Sequence, residues 1–215
     1  MNAPAPLRLL VVDDHPLIRL GLRQILADID DITIAAEAAS GIEGVRCLES
    51  TPLDIVTLDM AMPGRSGVEI LRRMRTVASG VPVLIYSRFP EEQYALRALR
   101  AGAAGYLMKS AAPSEVVSAL RRVARGERYL SPRMARQVAD DPQRIHDHDR
   151  LSNREFEILR LLATGHTVSR IAADLSLSIK TVSTHRTRLL KKLGLTSTAD
   201  LVHYAIEQGL DDTQT

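Results

Sequence analysis

The sequence has few of the residues that mark several large classes of protein. It contains one cysteine, Cys47, no tryptophan, and only two Phe and five Tyr among 215 residues. A single cysteine excludes an intrachain disulfide, which argues against a disulfide-stapled secreted domain and favours a reducing compartment. The N-terminal apolar run is short and ends in acidic residues, so it matches neither a signal peptide nor a membrane span. We therefore expect a cytoplasmic protein that does not enter the membrane.

Neither sign of charge dominates the chain. Lys and Arg number 28 and Asp and Glu number 26, and residues 1–125 and 126–215 are each close to neutral. The exception is segment 178–193, which holds five Lys or Arg residues and no acidic residue. Such a local excess of positive charge indicates a binding surface and not a property of the whole protein.

Residues 7–125 alternate between short apolar runs and segments with helical spacing. The predicted strands are 7–12, 32–36, 53–58, 81–86 and 105–108, and the predicted helices are 16–29, 42–48, 68–75, 91–100 and 114–125. Apolar strands separated by helices predict a parallel sheet that is covered on both faces. With right-handed crossovers, this becomes a doubly wound α/β fold of five strands.

The pattern changes after residue 125. Segment 126–150 is polar, and it has one short helix predicted near residues 132–139. Ser152 and Glu155 then form a capping box that opens a helix ending near Gly165. Further helices are predicted over 168–175, 178–193 and 198–208, which makes the C-terminal part an all-α domain of four helices.

Polar residues stand where four of the predicted strands end. Asp13 and Asp14 follow the first strand, Asp59 the third, Ser87 the fourth and Lys109 the fifth. The carboxyl ends of parallel strands meet at one edge of the sheet, where ligands of such folds bind. Two carboxylates about 4 Å apart repel by about 4 kcal/mol at an effective dielectric near 20, so the group needs cations.

Lys109 supplies one positive charge, and Mg²⁺, which prefers oxygen ligands, would supply more. A carboxylate beside Mg²⁺ and a lysine is suited to attack a phosphoryl group and to hold it. The sequence has no GxxxxGK[ST] loop to cradle nucleotide phosphates, so ATP itself is not the expected donor. Each residue also has an ordinary alternative role: Asp14 as a helix cap, Ser87 as a turn residue, and Lys109 as a solvated lysine.

Residues 7–125 resemble the receiver domain of two-component response regulators. The motifs that carry the resemblance are VVDDHP at 11–16, LDMAMPGRSG at 58–67, YS at 86–87 and GYLMK at 105–109. The resemblance implies that Asp59 takes a phosphoryl group from a histidine kinase. It also implies that Asp14, Asp59 and the backbone carbonyl of Ala61 bind Mg²⁺, with Asp13 acting nearby.

The same resemblance assigns roles to three further residues. Ser87 would reorient to bind the phosphoryl group, Lys109 would pair with it, and Tyr106 would be the aromatic switch that packs inward on activation. An ordinary tyrosine at the edge of the core is the alternative for Tyr106. Arg88 and Phe89 are bulky where smaller or polar residues are common, and we hypothesise that they shield the acyl phosphate from water.

Segment 178–193 combines helical spacing with a polar face that has no acidic residue. Its sixteen residues span about 24 Å as a helix, and Lys180, Thr184, Thr187 and Lys191 share one face. The helix predicted at 168–175 precedes it through a short turn, which makes a helix-turn-helix with the second helix suited to the major groove. A solvated surface helix is the alternative, although such helices usually mix both signs of charge.

Residues 151–210 resemble the LuxR-type DNA-binding domain, through LSNREFEILRLLATG and IAADLSLSIKTVSTHRTRLLKKLGL. Together the two resemblances place the chain beside the NarL/FixJ class of regulators. We predict base-edge or groove contacts for one set of residues and phosphate contacts for another. The first set is Lys180, Ser183, Thr184 and Thr187; the second is Thr181, Arg186, Arg188 and Lys191. We expect His185 to pack in the domain or contact a phosphate, and not to read a base.

The sequence thus predicts a cytoplasmic transcription regulator and a phosphoacceptor rather than an enzyme. Its expected parts are a receiver domain at 1–125, a polar linker at 126–147 and a DNA-binding domain at 148–211. The expected partners are a histidine kinase, double-stranded DNA, a second copy of the chain on activation, and RNA polymerase.

The sequence leaves three rival interpretations open. An aspartyl-phosphate phosphatase usually has a second Asp two residues after the nucleophile, where this chain has Ala61. A flavin carrier would be expected to show a phosphate-binding loop and more aromatic residues. The third rival is a regulator that binds DNA whether or not it is phosphorylated, against which the intact acidic residues argue.

Overall fold

The computed structural model describes residues 5–62, 66–140 and 147–210. Contacts within the chain divide it into two compact units, Met1–Gln143 and Arg144–Thr215. No helix in the described ranges is both long and apolar enough to span a bilayer.

The first unit is built on a five-stranded parallel sheet with the order β2-β1-β3-β4-β5. The strands are β1 (Leu7–Val12), β2 (Ile32–Ala38), β3 (Ile55–Leu58), β4 (Val83–Ser87) and β5 (Gly105–Met108). The central strands β1, β3 and β4 are buried along most of their length, as expected for a sheet that is covered on both faces. The predicted doubly wound α/β fold is confirmed.

Helices cover both faces of this sheet. They are α1 (Pro16–Leu26), α2 (Gly41–Ser50), α3 (Gly67–Val77), α4 (Glu91–Arg100) and α5 (Pro113–Ala124), and a further helix, α6 (Pro132–Asp140), follows them. Leu22 of α1 and Leu120 of α5 belong to one core cluster, which includes Leu9 and Val11 of β1. The opposite face receives α2 so closely that a Cβ on Gly44 would lie 2.8 Å from Val12 Cγ2.

The structure departs from the sequence prediction most clearly at the end of α1 and in the segment after residue 125. The apolar spacing predicts α1 as far as Ile29, but the helix ends at Leu26, and Ile29 reaches the core from the following turn. Residues 141–146 of the predicted polar linker lie outside the described residues. The part before them, residues 126–140, contains the helix predicted near 132–139 but is attached to the first unit, which was not expected. Its helix α6 packs against α4, and Met134 on α6 is fully buried.

The described part of the second unit is helical. Its elements are a 3-10 helix (Asp147–Arg150), α7 (Asn153–Ala163), α8 (Val168–Asp174), α9 (Ile179–Leu193) and α10 (Thr198–Glu207). The predicted capping box is present, because Ser152 accepts the Glu155 N–H and the Glu155 carboxylate accepts the Ser152 N–H. The four predicted α-helices are confirmed, with ends that differ by at most about two residues.

The basic helix α9 has a defined beginning and end. Ser178 caps its N-terminus by accepting the Thr181 N–H, and Gly194 ends it in the left-handed conformation with φ of 67°. The chain between α8 and α9 turns at Ser176, which has a φ of 53°. The helix-turn-helix predicted from the sequence is therefore present.

Candidate functional site

Two buried carboxylates lie side by side at the carboxyl edge of the sheet. Asp13 follows β1 and Asp59 follows β3, and the two are 2% and 1% exposed. The Asp59 N–H donates to the Val12 carbonyl at 2.9 Å, so the strand pairing continues up to this point and fixes both residues.

Lys109 lies between the two carboxylates. Its Nζ is 2.6 Å from Asp13 Oδ2 and 2.7 Å from Asp59 Oδ2, and its side chain is mostly buried. The backbone N–H of Lys109 donates to the Ser87 carbonyl at 2.8 Å, and this bond fixes Lys109 at the end of β5. One ammonium group thus partly compensates two buried charges, which would otherwise be costly to desolvate.

The other oxygen of Asp59 is held by the chain that follows it. Asp59 Oδ1 accepts the Ala61 N–H at 3.0 Å. Both carboxylate oxygens of Asp59 are therefore oriented, one by a backbone N–H and the other by an ammonium group.

Asp14 brings a third carboxylate to this edge. Its Oδ1 is buried and accepts no hydrogen bond, although His15 Nδ1 lies 2.9 Å away. Ligand-capable atoms of Asp13, Asp14, His15 and Asp59 all lie within 4.8 Å of one another. This set is dominated by carboxylate oxygens, which are the donors that Mg²⁺ prefers, so the residues fit the predicted ion.

His15 is a member of this cluster that the sequence prediction did not include. Its backbone N–H donates to Asp13 Oδ1 at 2.9 Å, and its imidazole is more than half exposed. The available signal was adjacency, because the residue directly follows Asp13 and Asp14.

Ser87 and Tyr106 form a second buried group beside the carboxylates. Ser87 is fully buried at the end of β4, and its Oγ accepts the Phe89 N–H at 3.3 Å. Tyr106 is 1% exposed and points inward, and its hydroxyl donates to the Phe89 carbonyl at 2.9 Å. Burial raises the pKa of Tyr106 well above its usual value, despite an opposing hydrogen bond with Ser87, so its hydroxyl stays a donor.

The bulky residues after Ser87 pack on one another. Phe89 is buried and stacks on Tyr94, with ring centroids 4.5 Å apart. Arg88 is exposed, and its guanidinium carbon lies 5.6 Å from the centre of the Phe89 ring. That these residues shield an acyl phosphate stays a prediction.

The basic helix α9 presents the predicted polar face. Lys180, Thr184, Thr187 and Lys191 are exposed, whereas Val182 and Leu189 on the opposite side are fully buried. The two threonine hydroxyls donate to carbonyls one turn earlier, at 2.9 and 3.1 Å. Their oxygen atoms remain able to accept a hydrogen bond from an outside group.

Other predicted contact residues of α9 are partly engaged within the domain. Thr181 Oγ1 lies 2.8 Å from Ser178 Oγ, and Arg186 donates to Thr198 Oγ1 at 3.4 Å. Ser183 is partly buried and Arg188 is exposed. His185 is partly buried, and burial lowers its pKa against the opposing effect of the nearby Glu155 carboxylate, which favours a packing role.

Lys192 has a role that the sequence did not reveal. Its Nζ lies 2.7 Å from Glu155 Oε2, and the Glu155 side chain is 4% exposed. Burial alone would raise the pKa of Glu155, but hydrogen bonds from Lys192 and Ser152 outweigh it, so that pKa is lowered. The last turn of α9 is thus joined to the first turn of α7 by an ion pair.

Family models match both units of the chain. Residues 9–121 match the response regulator receiver domain, and residues 149–205 match the bacterial regulatory proteins of the luxR family. The chain is similar to the response regulator UvrY of Escherichia coli K12, with 38% identity over 213 residues, covering 97% of this chain and 98% of UvrY. It is also similar to the response regulator GacA of Pseudomonas aeruginosa, with 37% identity over 211 residues, covering 96% of this chain and 98% of GacA.

A solved structure of RcsB from Salmonella typhimurium has a similar fold. It aligns with a TM-score of 0.57 at 25% identity and covers 94% of this chain and 99% of that one. The two family matches and the full-length relatives agree with the order and content of the two units. The chain belongs to the NarL/FixJ class of two-component response regulators, and is a DNA-binding transcription regulator with a receiver domain and a LuxR-type DNA-binding domain.

Proposed function

We propose that Asp59 takes a phosphoryl group from a histidine kinase and that this step controls the binding of α9 to double-stranded DNA. The observation that carries the proposal is the environment of Asp59. Its carboxylate is buried at the end of β3 and oriented by the Ala61 N–H and the Lys109 ammonium group. A carboxylate held in this way can act as a nucleophile in a defined direction.

In the proposed reaction an Asp59 oxygen forms a new bond to phosphorus. The bond between phosphorus and the donor breaks, and its electron pair leaves with the donor group. Lys109 stays close to the reacting carboxylate and stabilises the added negative charge. The receiver domain in this proposal catalyses only its own phosphorylation and dephosphorylation.

Asp14, Asp59 and the backbone carbonyl of Ala61 would hold Mg²⁺, with Asp13 beside them. The close grouping of carboxylate oxygens from Asp13, Asp14 and Asp59, with ligand-capable atoms within 4.8 Å of one another, supports this assignment. When bound, the ion supplies positive charge that offsets the repulsion between the carboxylates and the incoming phosphoryl oxygens. Asp13 is already paired with Lys109, so its part is to hold that lysine in place.

Ser87 and Tyr106 are the proposed moving parts. A phosphoryl group on Asp59 would draw the Ser87 hydroxyl towards it and away from Tyr106 and the Phe89 N–H. The receiver would then favour one of two arrangements, as expected for a switch whose states differ in a few hydrogen bonds.

DNA binding is assigned to the exposed face of α9. Lys180, Ser183, Thr184 and Thr187 would contact base edges, and Thr181, Arg186, Arg188 and Lys191 would contact phosphates. The solved RcsB structure is described in terms of its conformational dynamism for DNA interaction, which supports the same use of this fold here. We propose that the chain acts in the cytoplasm, binds DNA as a homodimer after phosphorylation, and contacts RNA polymerase at its promoters.

Intact mass spectrometry after incubation with acetyl phosphate and Mg²⁺ tests the phosphoacceptor. The wild type should gain one phosphoryl group, and Asp59→Asn should gain none. Asp28→Asn removes an exposed carboxylate from the same domain and should behave like the wild type. A phosphoryl group on Asp59→Asn, or none on the wild type at early times, would contradict the proposal.

A further inference from the structure

The edge of the sheet at β5 is covered by the chain that follows α5. Tyr129 pairs in parallel with Gly105, so that Tyr129 N–H donates to the Ala104 carbonyl at 3.2 Å. The Tyr106 N–H in turn donates to the Tyr129 carbonyl at 2.9 Å. A side chain at Gly105 would not fit, because its Cβ would lie 2.7 Å from the Tyr129 carbonyl oxygen.

Side chains of α5 hold the same stretch in place. The Tyr129 hydroxyl donates to Glu115 Oε1 at 3.0 Å, and the Arg122 guanidinium carbon lies 5.3 Å from the centre of the Tyr129 ring. Arg122 Nη2 also donates to the Arg128 carbonyl at 3.3 Å. Tyr129 is therefore fixed by its backbone to β5 and by its side chain to α5.

The next residues are fixed to α4. The Ser131 N–H donates to Oε1 of Glu91, the first residue of α4, at 2.9 Å. Ser131 Oγ accepts the Met134 N–H in the first turn of α6. Met134 is fully buried, whereas its neighbours Arg133 and Ala135 are exposed. We call residues 127–136 the docking segment.

The docking segment and the switch share one short stretch of chain. Residues 87–91 join β4 to α4. In this stretch the Phe89 carbonyl accepts a hydrogen bond from the Tyr106 hydroxyl, and the Glu91 carboxylate accepts one from the Ser131 N–H. A cavity of about 510 Å³ is lined by Glu91, Tyr106, Tyr129 and Ser131. The docking segment therefore has room to shift when residues 87–91 move.

We propose that the docked position of residues 127–136 and the inward position of Tyr106 stabilise each other. The docking segment then senses the state of the receiver at the point where the chain leaves this unit for the DNA-binding domain. Such coupling is reciprocal, so a change at either place must alter the other by the same factor. Only the effect of phosphorylation in this proposal rests on the proposed function of Asp59.

Hydrogen exchange of the full chain, read by mass spectrometry, tests the coupling directly. Tyr106→Phe keeps the ring but removes the hydroxyl that binds the Phe89 carbonyl. We expect the amides of residues 127–136 to exchange about fivefold faster in this variant, the effect of one lost hydrogen bond. Tyr86→Phe is the matched control, because Tyr86 is a buried tyrosine of β4 that belongs to the hydrophobic core of the receiver. In this control the amides of residues 127–136 should exchange at the wild-type rate. Equal exchange in Tyr106→Phe and the wild type would overturn the proposal.

The reverse direction uses Glu91. Glu91→Ala removes the acceptor of the Ser131 N–H, whereas Glu91→Gln keeps an oxygen at the same place. Glu91→Ala should lower the phosphorylated fraction at a fixed acetyl phosphate concentration, and Glu91→Gln should restore it. If both variants are phosphorylated like the wild type, the docking segment does not influence the switch.

Phosphorylation of the wild type should change the exchange of residues 127–136 and leave β1 unchanged. An unchanged docking segment in a sample whose mass shows the phosphoryl group would contradict the proposal. If the wild type takes no phosphoryl group, the proposed function of Asp59 fails, and the Tyr106→Phe experiment still decides the coupling.

Discussion

At the scale of single residues, the receiver depends on charged groups that would be unstable in an ordinary core. Asp13 and Asp59 are almost fully buried, and Lys109 is the ammonium group that bridges them. Removing one member of a buried ion pair typically costs about 3–5 kcal/mol, because the remaining charge is left without a partner. The burial of these three charged groups is better explained by the proposed phosphoryl chemistry than by a contribution to stability alone.

His185 gives a prediction for the DNA-binding domain. Burial lowers the pKa of its imidazole, and the nearby Glu155 carboxylate only partly opposes this. The unfolded chain, with an ordinary histidine pKa of about 6.5, then binds more protons than the folded state as the pH falls below about 7. The contribution of neutral His185 to the free energy of unfolding is therefore complete above that pH. It is lost as the pH falls towards the lower pKa that His185 has in the folded state.

Thermal unfolding of the full chain between about pH 7 and about pH 5 measures this effect. The transition of the DNA-binding domain should fall more steeply with pH in the wild type than in His185→Gln. His203→Gln is the control, since His203 has a side chain that is 76% exposed. The same pH dependence in the wild type and in His185→Gln would show that this histidine does not couple to folding.

The chemistry of the candidate site could be predicted from residue types because parallel strands end at a common edge. That argument places Asp13, Asp59 and Lys109 near one another, but it does not say which atoms pair. The contacts of Lys109 with both carboxylates depend on side-chain conformations that only packing determines. The ion pair of Lys192 was not predicted for a related reason. Its partner Glu155 is 37 residues away, and the sequence assigns Glu155 only a role in the local capping box.

At the scale of elements, α9 combines two kinds of lysine in adjacent positions. Lys191 is exposed on the polar face, whereas Lys192 pairs with the buried Glu155 of α7. The two residues carry the same charge, so a difference between them must come from their positions. Lys191 is assigned to a DNA phosphate, and Lys192 to the attachment of α9 within the domain.

Salt titrations of DNA binding separate these roles. Lys191→Ala should weaken binding similarly on every sequence and reduce the magnitude of the salt slope by about 0.9. Lys192→Ala should leave the slope unchanged and lower the stability of the DNA-binding domain by about 1–2 kcal/mol, since Lys192 is partly exposed and screened. A change in sequence preference in Lys191→Ala, or a reduced slope in Lys192→Ala, would contradict the assignment.

The elements themselves were predictable where local signals and burial agree. Apolar runs placed all five strands, and the caps at Ser152, Ser178 and Gly194 placed α7 and α9 closely. In segment 126–140 the helix near residues 132–139 was predicted, but its attachment to the receiver was not, because the polar composition hides a few specific contacts. Tyr129 and Met134 dock it on the receiver, although most of their neighbours are exposed.

At the scale of the whole molecule, the two domains match known regulators along nearly their full length. The phosphatase and flavin-carrier interpretations are excluded by this similarity, which includes both the receiver and the LuxR-type domain. The remaining rival is a regulator that binds DNA whether or not Asp59 is phosphorylated. The central claim is therefore that the two domains are coupled through Asp59.

The most direct test is the dissociation constant for DNA, measured by fluorescence anisotropy on a site selected from a random pool. The wild type, Asp59→Asn and Asp28→Asn would each be titrated before and after treatment with acetyl phosphate and Mg²⁺, with the phosphorylated fraction read by intact mass. We predict at least about fivefold tighter binding of the phosphorylated wild type and of Asp28→Asn, with no change in Asp59→Asn. Equal dissociation constants for phosphorylated and unphosphorylated wild type would contradict the coupling of Asp59 to DNA binding.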